Sequence, residues 1–356
     1  MKKSQKMILM LLLLPLILTV YSCKSNPSKS EKTTFNLKYE LAEDEELEAF
    51  YVSDTKIYAT VNKIDTTNMS APTFGTTTQR FIIYDFVNDE LEKQYDIEER
   101  GVYIYHAIPF QDGIIYSVYT PNGTAEVSDT GFPWEIRYIS DERNQVIDSG
   151  FCSNMIDMLP GFSILDEEVY YLYEDMDEDT GYSFGIKKAD LDNSQVVVQE
   201  TEKKLSETEF YSNGTDYAIL VDAKILIGNT KGIYREYDLP EKISSYGICK
   251  DYLFCCTTSD GSKWAARSIN LETGKEYVSE SDEPLYRVTS MRGMELTCVL
   301  ENWEMCILQP GKNYKVFPLD SSDDLLETRR YVIYYPYDET KTLAQLDSTK
   351  FCRIIW

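Results

Sequence analysis

WAARSINLETGKEYV, residues 264–278, is the stretch of this chain that indicates the fold most directly. A run in which apolar and polar residues alternate ends at residue 271, residues 272–275 are polar, and a second run leaves through residue 278. Such alternation is typical of a strand with one buried face, and glycine supplies the positive φ that tight turns need. The stretch therefore predicts a β-hairpin.

Variants of this hairpin recur along the chain. Candidate second strands follow tight turns at KIYATV, IIYSVY, EVYYLY, TDYAILV, YLFCCT, MELTCVL and YVIYY. Candidate third strands begin at FIIYDF, WEIRYI, FGIKKADL, KILIG, WAARSINL, MCILQP and TLAQLD. Their spacing of roughly 37–58 residues is typical of propeller blades. The pattern predicts an all-β chain whose residues 35–356 form one β-propeller domain of seven four-stranded blades. Six or eight blades, or a pair of β-sandwiches, are the alternatives.

The Asn270-Leu271 strand end followed by Thr273-Gly274-Lys275 resembles bacterial propellers of the TolB-like and PQQ-repeat kind. In those families a strand ending in Asp/Asn-Leu meets a Thr-Gly-Lys turn. The resemblance implies the fold and carries no activity. It also leaves the closure of the ring open, because residues 35–39 and the final KFCRIIW compete for the closing position.

The first residues of the chain indicate an export signal. Lys2, Lys3 and Lys6 precede an apolar run over residues 7–20, which is too short to span a membrane comfortably. LTVYSC, residues 18–23, resembles a bacterial lipobox. The resemblance implies a signal peptide over residues 1–22, a diacylglyceryl thioether on Cys23 and a location outside the cytoplasm, at the cell surface or in the periplasm. An ordinary signal peptide with an incidental cysteine is the alternative.

Residues 23–34 are polar and are predicted to be the lipidated cysteine and a flexible tether. Removal of residues 1–22, which hold three lysines and no acid, changes the net charge from −25 to −28. A nucleic-acid binder needs a basic footprint, so nucleic acid is excluded as a partner. A protein ligand, a neutral glycan or a basic peptide fits this charge, and we expect a monomer.

The chain offers few residues for catalysis. His106 is the one histidine, which argues against a catalytic triad or a histidine-rich metal site. The cysteines besides Cys23 show no C-x-x-C spacing. Cys298 and Cys306 flank a short turn and could face each other, although buried free thiols are the favoured interpretation. Ser259-Asp260-Gly261 lacks the spacing of an Asp-box and is better explained as a plain turn.

The acidic stretch from residue 174 to residue 183 contains Asp175, Asp177 and Asp179. Alternating carboxylates can converge on a hard cation such as Ca²⁺. Gly181 is one position late for an EF-hand, and Ile186 stands where that loop needs a glutamate. A solvated acidic loop is therefore favoured, and we expect no metal site or other cofactor.

Three connections between second and third strands are expected to be long: residues 62–79, 120–133 and 174–183. In a propeller these loops share one face, and long loops in compact domains are usually functional or disordered. The predicted ligand-binding site on this face consists of Phe74, Phe132, Trp134, Asp175, Asp177, Asp179 and Tyr182. Trp134 opens a strand and is the member that could belong to the core instead.

Taken with the lipobox, these features predict a lipid-anchored extracytoplasmic propeller that binds a glycan, a peptide or an envelope protein without catalysis. Two alternatives stay open. One is a glycan-active enzyme that uses paired carboxylates. The other is an assembly or scaffold lipoprotein that docks other envelope proteins, as the TolB-like resemblance implies.

Overall fold

A computed structural model describes the backbone of most of the chain. The described residues are 31–53, 55–64, 76–97, 102–119, 132–152, 159–177, 181–192, 197–201, 205–206, 208, 210–239, 241–249, 251–282, 284–292, 295–300, 305–308, 315–317, 331–333, 342–347 and 350–355. Within these ranges every regular element is a β-strand, so no helix there is long and apolar enough to cross a membrane.

The described strands form seven four-stranded antiparallel sheets. Sheet 1 contains β2 (Glu45–Val52), β3 (Lys56–Ile64), β4 (Thr76–Asp85) and β5 (Glu90–Asp96). Sheet 2 contains β6 (His106–Phe110), β7 (Gly113–Tyr119), β8 (Phe132–Ile139) and β9 (Asn144–Cys152). Sheet 3 contains β10 (Gly161–Leu165), β11 (Glu168–Asp177), β12 (Gly181–Lys188) and β13 (Val197–Thr201).

The later sheets repeat this order. Sheet 4 contains β14 (Tyr211–Ser212), β15 (Asp216–Val221), β16 (Lys224–Asn229) and β17 (Gly232–Tyr237). Sheet 5 contains β18 (Lys242–Cys249), β19 (Tyr252–Thr258), β20 (Trp264–Asn270) and β21 (Glu276–Ser281). Sheet 6 contains β22 (Leu285–Arg292), β23 (Glu295–Leu300), β24 (Met305–Leu308) and β25 (Lys315–Phe317). Sheet 7 contains β26 (Tyr331–Ile333), β27 (Thr342–Asp347), β28 (Lys350–Ile355) and β1 (Glu31–Asn36).

The sheets are arranged as in a propeller. The first strand of each of sheets 1 to 5 contacts the first strand of the following sheet, and β26 of sheet 7 contacts β2 of sheet 1. A parallel bridge joins Leu165, the last residue of β10, to Gly214, two residues after β14. The all-β, propeller-like architecture expected from the sequence is therefore present.

Sheet 1 needs its neighbours because both of its faces are apolar. On one face of sheet 1, Ile57, Ile82 and Tyr84 belong to one core cluster, while Phe81 on the other face packs with Tyr116 of sheet 2. Burial of such a side chain contributes about 1.5–3 kcal/mol. The stacking of sheets, rather than any single sheet, therefore supplies the core.

The hairpin over residues 264–278 has the predicted form. β20 ends at Asn270, whose carbonyl oxygen accepts a hydrogen bond from the Gly274 N–H at 2.8 Å. The Asn270 side chain accepts bonds from the N–H and hydroxyl of Thr273, both at 2.8 Å. Gly274 has φ +69°, a conformation that favours glycine.

The order of strands in sheet 7 differs from the order expected at the end of the chain. YVIYY and TLAQLD were expected as second and third strands, but Tyr331–Ile333 is the first strand and Thr342–Asp347 the second. The third strand is β28, and β1 completes the sheet, with Glu31 opposite Ile355 and Asn36 opposite Lys350. The C-terminal closing candidate is therefore used as β28, whereas only residues 35–36 of the other candidate, residues 35–39, lie in β1. Residues 31–34, assigned to the tether by sequence, lie in β1, and β2 begins within the stretch assigned to an acidic connector.

Candidate functional site

The strand ends of each sheet lie on two opposite sides, and different connections lie on each side. The chain passes from second to third strand at the edge that also carries the connections between sheets. We call this the loop edge; its second-to-third connections are residues 65–75, 120–131, 178–180, 222–223, 259–263, 301–304 and 348–349. Turns between first and second strands, and between third and fourth strands, lie at the opposite edge, which we call the turn edge; examples are residues 86–89, 140–143 and 271–275.

The lengths of the second-to-third connections differ between sheets. The sequence predicted long connections in sheets 1, 2 and 3, and the structure has them in sheets 1 and 2 only. Sheets 1 and 2 carry the two longest second-to-third connections, residues 65–75 and 120–131. The expected long loop over residues 174–183 is wrong, since β11 continues to Asp177 and β12 starts at Gly181. Gly181, at φ +83°, lies directly opposite Asp177 and allows the tight hairpin.

Asp175 and Asp177 are therefore strand residues. Asp175 lies opposite Ser183 and Asp177 opposite Gly181 in the ladder, while Asp179 falls outside the described residues. No group of three or more His, Cys, Asp or Glu side chains suited to a metal occurs among the residues that the structure describes.

Cys23 and Phe74 also lie outside the described residues, whereas Phe132 and Tyr182 are described. Phe132 is half-buried at the first position of β8, and its ring meets the ring of Tyr119 edge-on at 5.9 Å. Tyr182 is 36% exposed, next to the tip of the β11–β12 hairpin. Both aromatic side chains thus lie where their strands begin at the loop edge.

Trp134 is a core residue in the structure and not a surface aromatic. Its side chain is 1% exposed, and its indole N–H donates to the carbonyl oxygen of Glu174 at 3.3 Å. The ring packs beside Tyr173 of sheet 3, and a Cβ added at Gly150 would lie 2.5 Å from it. Two positions into β8, Trp134 already lies between two stacked sheets, so we remove it from the candidate site.

Sequence reasoning missed two further apolar residues at this edge. Phe151, at the loop-edge end of β9, is 43% exposed, and Ile64, the last residue of β3, is 39% exposed. Together with Phe132 and Tyr182 they place apolar surface on the loop edge of three consecutive sheets. Phe151 and Ile64 lie at the ends of their strands, and a strand pattern predicts which face a residue takes but not whether the end of the strand is exposed.

A buried polar network supports the stem of residues 65–75. Asn62 Nδ2 donates to Glu48 Oε2 at 2.9 Å, and the Thr78 hydroxyl donates to Asn62 Oδ1 at 2.9 Å. The Tyr103 hydroxyl donates to the same Glu48 oxygen at 2.7 Å, and the Ile104 N–H donates to Thr78 Oγ1 at 3.1 Å. Asn62 and Thr78 are almost fully buried. The network ties three strands of sheet 1 to the connection that enters sheet 2.

An ion pair strengthens the start of β2 at the same edge. Both guanidinium NH groups of Arg80 donate to the Glu45 carboxylate, at 2.7 and 2.9 Å, and Arg80 Nε donates to the Tyr39 hydroxyl. The hydrogen bonds from Arg80 lower the pKa of Glu45. Such bidentate pairs fix geometry as well as charge, so this pair ties the start of β2 to β4 and to Tyr39 beneath the loop edge.

The structure also places three other features that the sequence singled out. Asp260, in the short connection over residues 259–263, accepts bonds from the Ser262 N–H and hydroxyl, which lower its pKa. This is the plain Asp-Gly turn expected from sequence, with Gly261 at φ +81°. His106 begins β6 and is half-buried. Cys152, Cys255 and Cys256 are buried and form no disulfide, and burial raises the pKa of the Cys255 thiol.

Comparisons with known proteins bear on the fold alone. No protein-family model and no curated protein matches the chain. A solved structure described as "KlHsv2 with loop 6CD replaced by a Gly-Ser linker" matches with a TM-score of 0.51 and 10% sequence identity. The match covers 85% of this chain and 89% of that one. At this identity the likeness supports a propeller-like fold and transfers no function.

Proposed function

We propose that this chain is a lipid-anchored, extracytoplasmic β-propeller of seven blades that binds a protein or glycan ligand without catalysing a reaction. The seven four-stranded sheets support the blade count, and the lipobox ending at Cys23 supports the anchor and the location. The binding site is the loop edge of sheets 1 to 3, and the protein acts as a monomer. The TolB-like resemblance of residues 270–275 fits this assignment.

The observation that carries the binding proposal is the unequal distribution of connections at the loop edge. Residues 65–75 and 120–131 join strands in two adjacent sheets, whereas sheets 4 and 7 manage the same step with residues 222–223 and 348–349. A hairpin needs only about two residues to turn, so the longer connections are not required for folding. Binding residues are disproportionately found on loops that a rigid scaffold positions.

The chemistry of this edge indicates the class of ligand. Phe132, Phe151 and Tyr182 supply rings, Asp175 and Asp177 lie near the end of β11 beside them, and Phe74 and Asp179 are members by the sequence prediction alone. Aromatic faces stack on sugars and attract cations, and a mature charge of −28 disfavours anionic ligands. Neutral glycans and basic peptide segments therefore fit best.

Arrays of glycans and peptides, probed with the purified domain, test the proposal. Tyr182→Ala should weaken binding of any ligand found by about 2 kcal/mol, or roughly thirtyfold. Tyr234→Ala is the matched control, because Tyr234 is 48% exposed on an outer strand away from the loop edge. Equal affinity of both variants and the wild type would remove the loop edge from the binding site.

Fractionation of cells that express the full chain tests the anchor separately. Cys23→Ala should release the protein from the membrane fraction or leave it unprocessed, because no acyl chains are then attached. Acyl chains contribute roughly 0.8 kcal/mol per buried CH₂ to membrane binding. An unchanged detergent partition of the variant would show that the lipobox assignment is wrong.

A further inference from the structure

The position of β1 fixes where the chain from Cys23 enters the folded domain. The connection between β27 and β28, residues 348–349, lies at the loop edge, and Asn36 pairs with Lys350 beside it. Glu31 pairs with Ile355 at the other end of β28. Because residues 24–30 lead directly into Glu31, the segment from the lipidation site joins sheet 7 at its turn edge.

The outer strands of sheets 1, 2 and 4, moreover, contact the turn edge of the following sheet. Three contacts of this kind are Lys93 to Asp141 at 2.8 Å, Gln145 to the Leu191 carbonyl oxygen at 2.9 Å, and Arg235 to the Leu271 carbonyl oxygen. The chain just after β1 makes the same kind of contact with sheet 1. Just after β1, the Lys38 N–H donates to the Tyr84 hydroxyl at 2.8 Å, and the Lys38 ammonium pairs with Asp89 in the turn over residues 86–89. The chain that follows the loop-edge end of β1 is thus held against the turn edge of sheet 1.

The covalent reach of the segment is short. Eight peptide steps separate Cys23 from Glu31, and a fully extended chain covers about 3.3–3.6 Å per residue, which gives about 26–29 Å at most. β3, with nine residues, spans about 30 Å from turn edge to loop edge. The greatest distance possible between the turn edge and the lipid is therefore about equal to the distance between the turn edge and the loop edge of sheet 1.

From these distances we infer that the propeller sits on the bilayer with its turn edge facing the lipid and its loop edge facing away. This inference rests on the proposed lipid anchor at Cys23. It adds that the long connections of sheets 1 and 2 are presented to partners in solution or on a facing structure, and not to the membrane that carries the protein.

Energy transfer to a bilayer measures this orientation. Val87, 61% exposed in a turn-edge turn of sheet 1, and Ile64, 39% exposed at the loop-edge end of the same sheet, form a matched pair of aliphatic positions. Val87→Cys and Ile64→Cys in the full, lipidated protein are labelled with one thiol-reactive donor and reconstituted in vesicles that contain a headgroup-labelled acceptor lipid. The parent protein, carried through the same labelling, gives the background from native thiols.

We expect roughly twofold or more greater transfer from the Val87→Cys donor, because the two sites differ in height by about the length of a nine-residue strand. Equal transfer, or greater transfer from Ile64→Cys, would overturn the orientation. Flotation of the unlabelled wild-type protein with vesicles is measured alongside. Protein that does not float refutes the anchor and the orientation together, whereas protein that floats with equal or reversed transfer refutes the orientation alone.

Discussion

Asn62→Ala removes the centre of the polar network beneath the loop edge of sheet 1. The variant loses one hydrogen bond to the Glu48 carboxylate and one from the Thr78 hydroxyl, both 2.9 Å long. A bond to a charged group contributes about 1.5–3 kcal/mol and a neutral one about 1 kcal/mol. Because Thr78 is also left buried without its acceptor, we expect the free energy of unfolding to fall by about 2.5–4 kcal/mol.

Two measurements check this expectation. Urea unfolding of the purified domain gives the loss of stability, and amide hydrogen exchange at Ile104, whose N–H donates to Thr78 Oγ1, reports the network itself. Ile104 should exchange faster in the variant, because its acceptor is no longer held in place. Gln94→Ala on β5 is the control, since an exposed polar side chain usually changes stability by about 0.5 kcal/mol or less. A loss for Asn62→Ala that is no larger than that of the control, with unchanged exchange at Ile104, would refute the structural role of the network.

Three further outcomes are expected. Trp134→Ala should destabilise the domain by about 3–5 kcal/mol, measured by urea unfolding, because the buried ring leaves a cavity between two sheets; a loss within about 0.5 kcal/mol would return Trp134 to the surface. Glu45 has a lowered folded-state pKa, so its ion pair stabilises the fold above the unfolded value near 4.5 and is lost as pH falls through the folded pKa. The wild type should therefore lose more stability than Glu45→Gln between pH 7 and pH 3, and parallel losses would contradict this. Cys298 lies directly opposite Cys306 on β23 and β24, within the Cα separation that a disulfide needs. Thiol titration of the denatured, oxidised protein should find two fewer thiols than after reduction, and equal counts would exclude the bond.

Local sequence patterns predicted the repeated hairpins because each hairpin is encoded within a few adjacent residues. The second and third strands of sheets 1 to 6 carry strong apolar alternation and turn residues, and they form as expected. Sheet 7 could not be predicted in this way, since its outer strand β1 comes from the other end of the described chain. No pattern within β26 or β27 indicates that β1 completes the sheet. Each of these two strands was therefore assigned one position too late in the order of the sheet.

The candidate site was predicted less completely than the fold. Carboxylates are depleted in strands, so Asp175 and Asp177 were assigned to a loop, whereas pairing with β12 keeps them in β11. The alternation of apolar and polar residues along β8 predicts which face of sheet 2 carries Trp134. It does not predict that sheet 3 packs against that face. The network of Glu48, Asn62, Thr78 and Tyr103 joins residues up to 55 positions apart, which only the assembled sheets bring together.

The pairing of β1 with β28 also sets the order of events during biosynthesis. These strands lie roughly 320 residues apart, so bringing them together costs about 5 kcal/mol of chain entropy by the logarithmic loop-closure relation. At about 5–20 residues per second, a ribosome needs roughly 16–64 s to make the chain between them. Throughout that interval β1 exists without its partner, and six sheets can stack before the seventh can form. A nascent-chain protease or a strand-capturing chaperone therefore has its widest opportunity at β1, and that opportunity ends only when the last strand is synthesised.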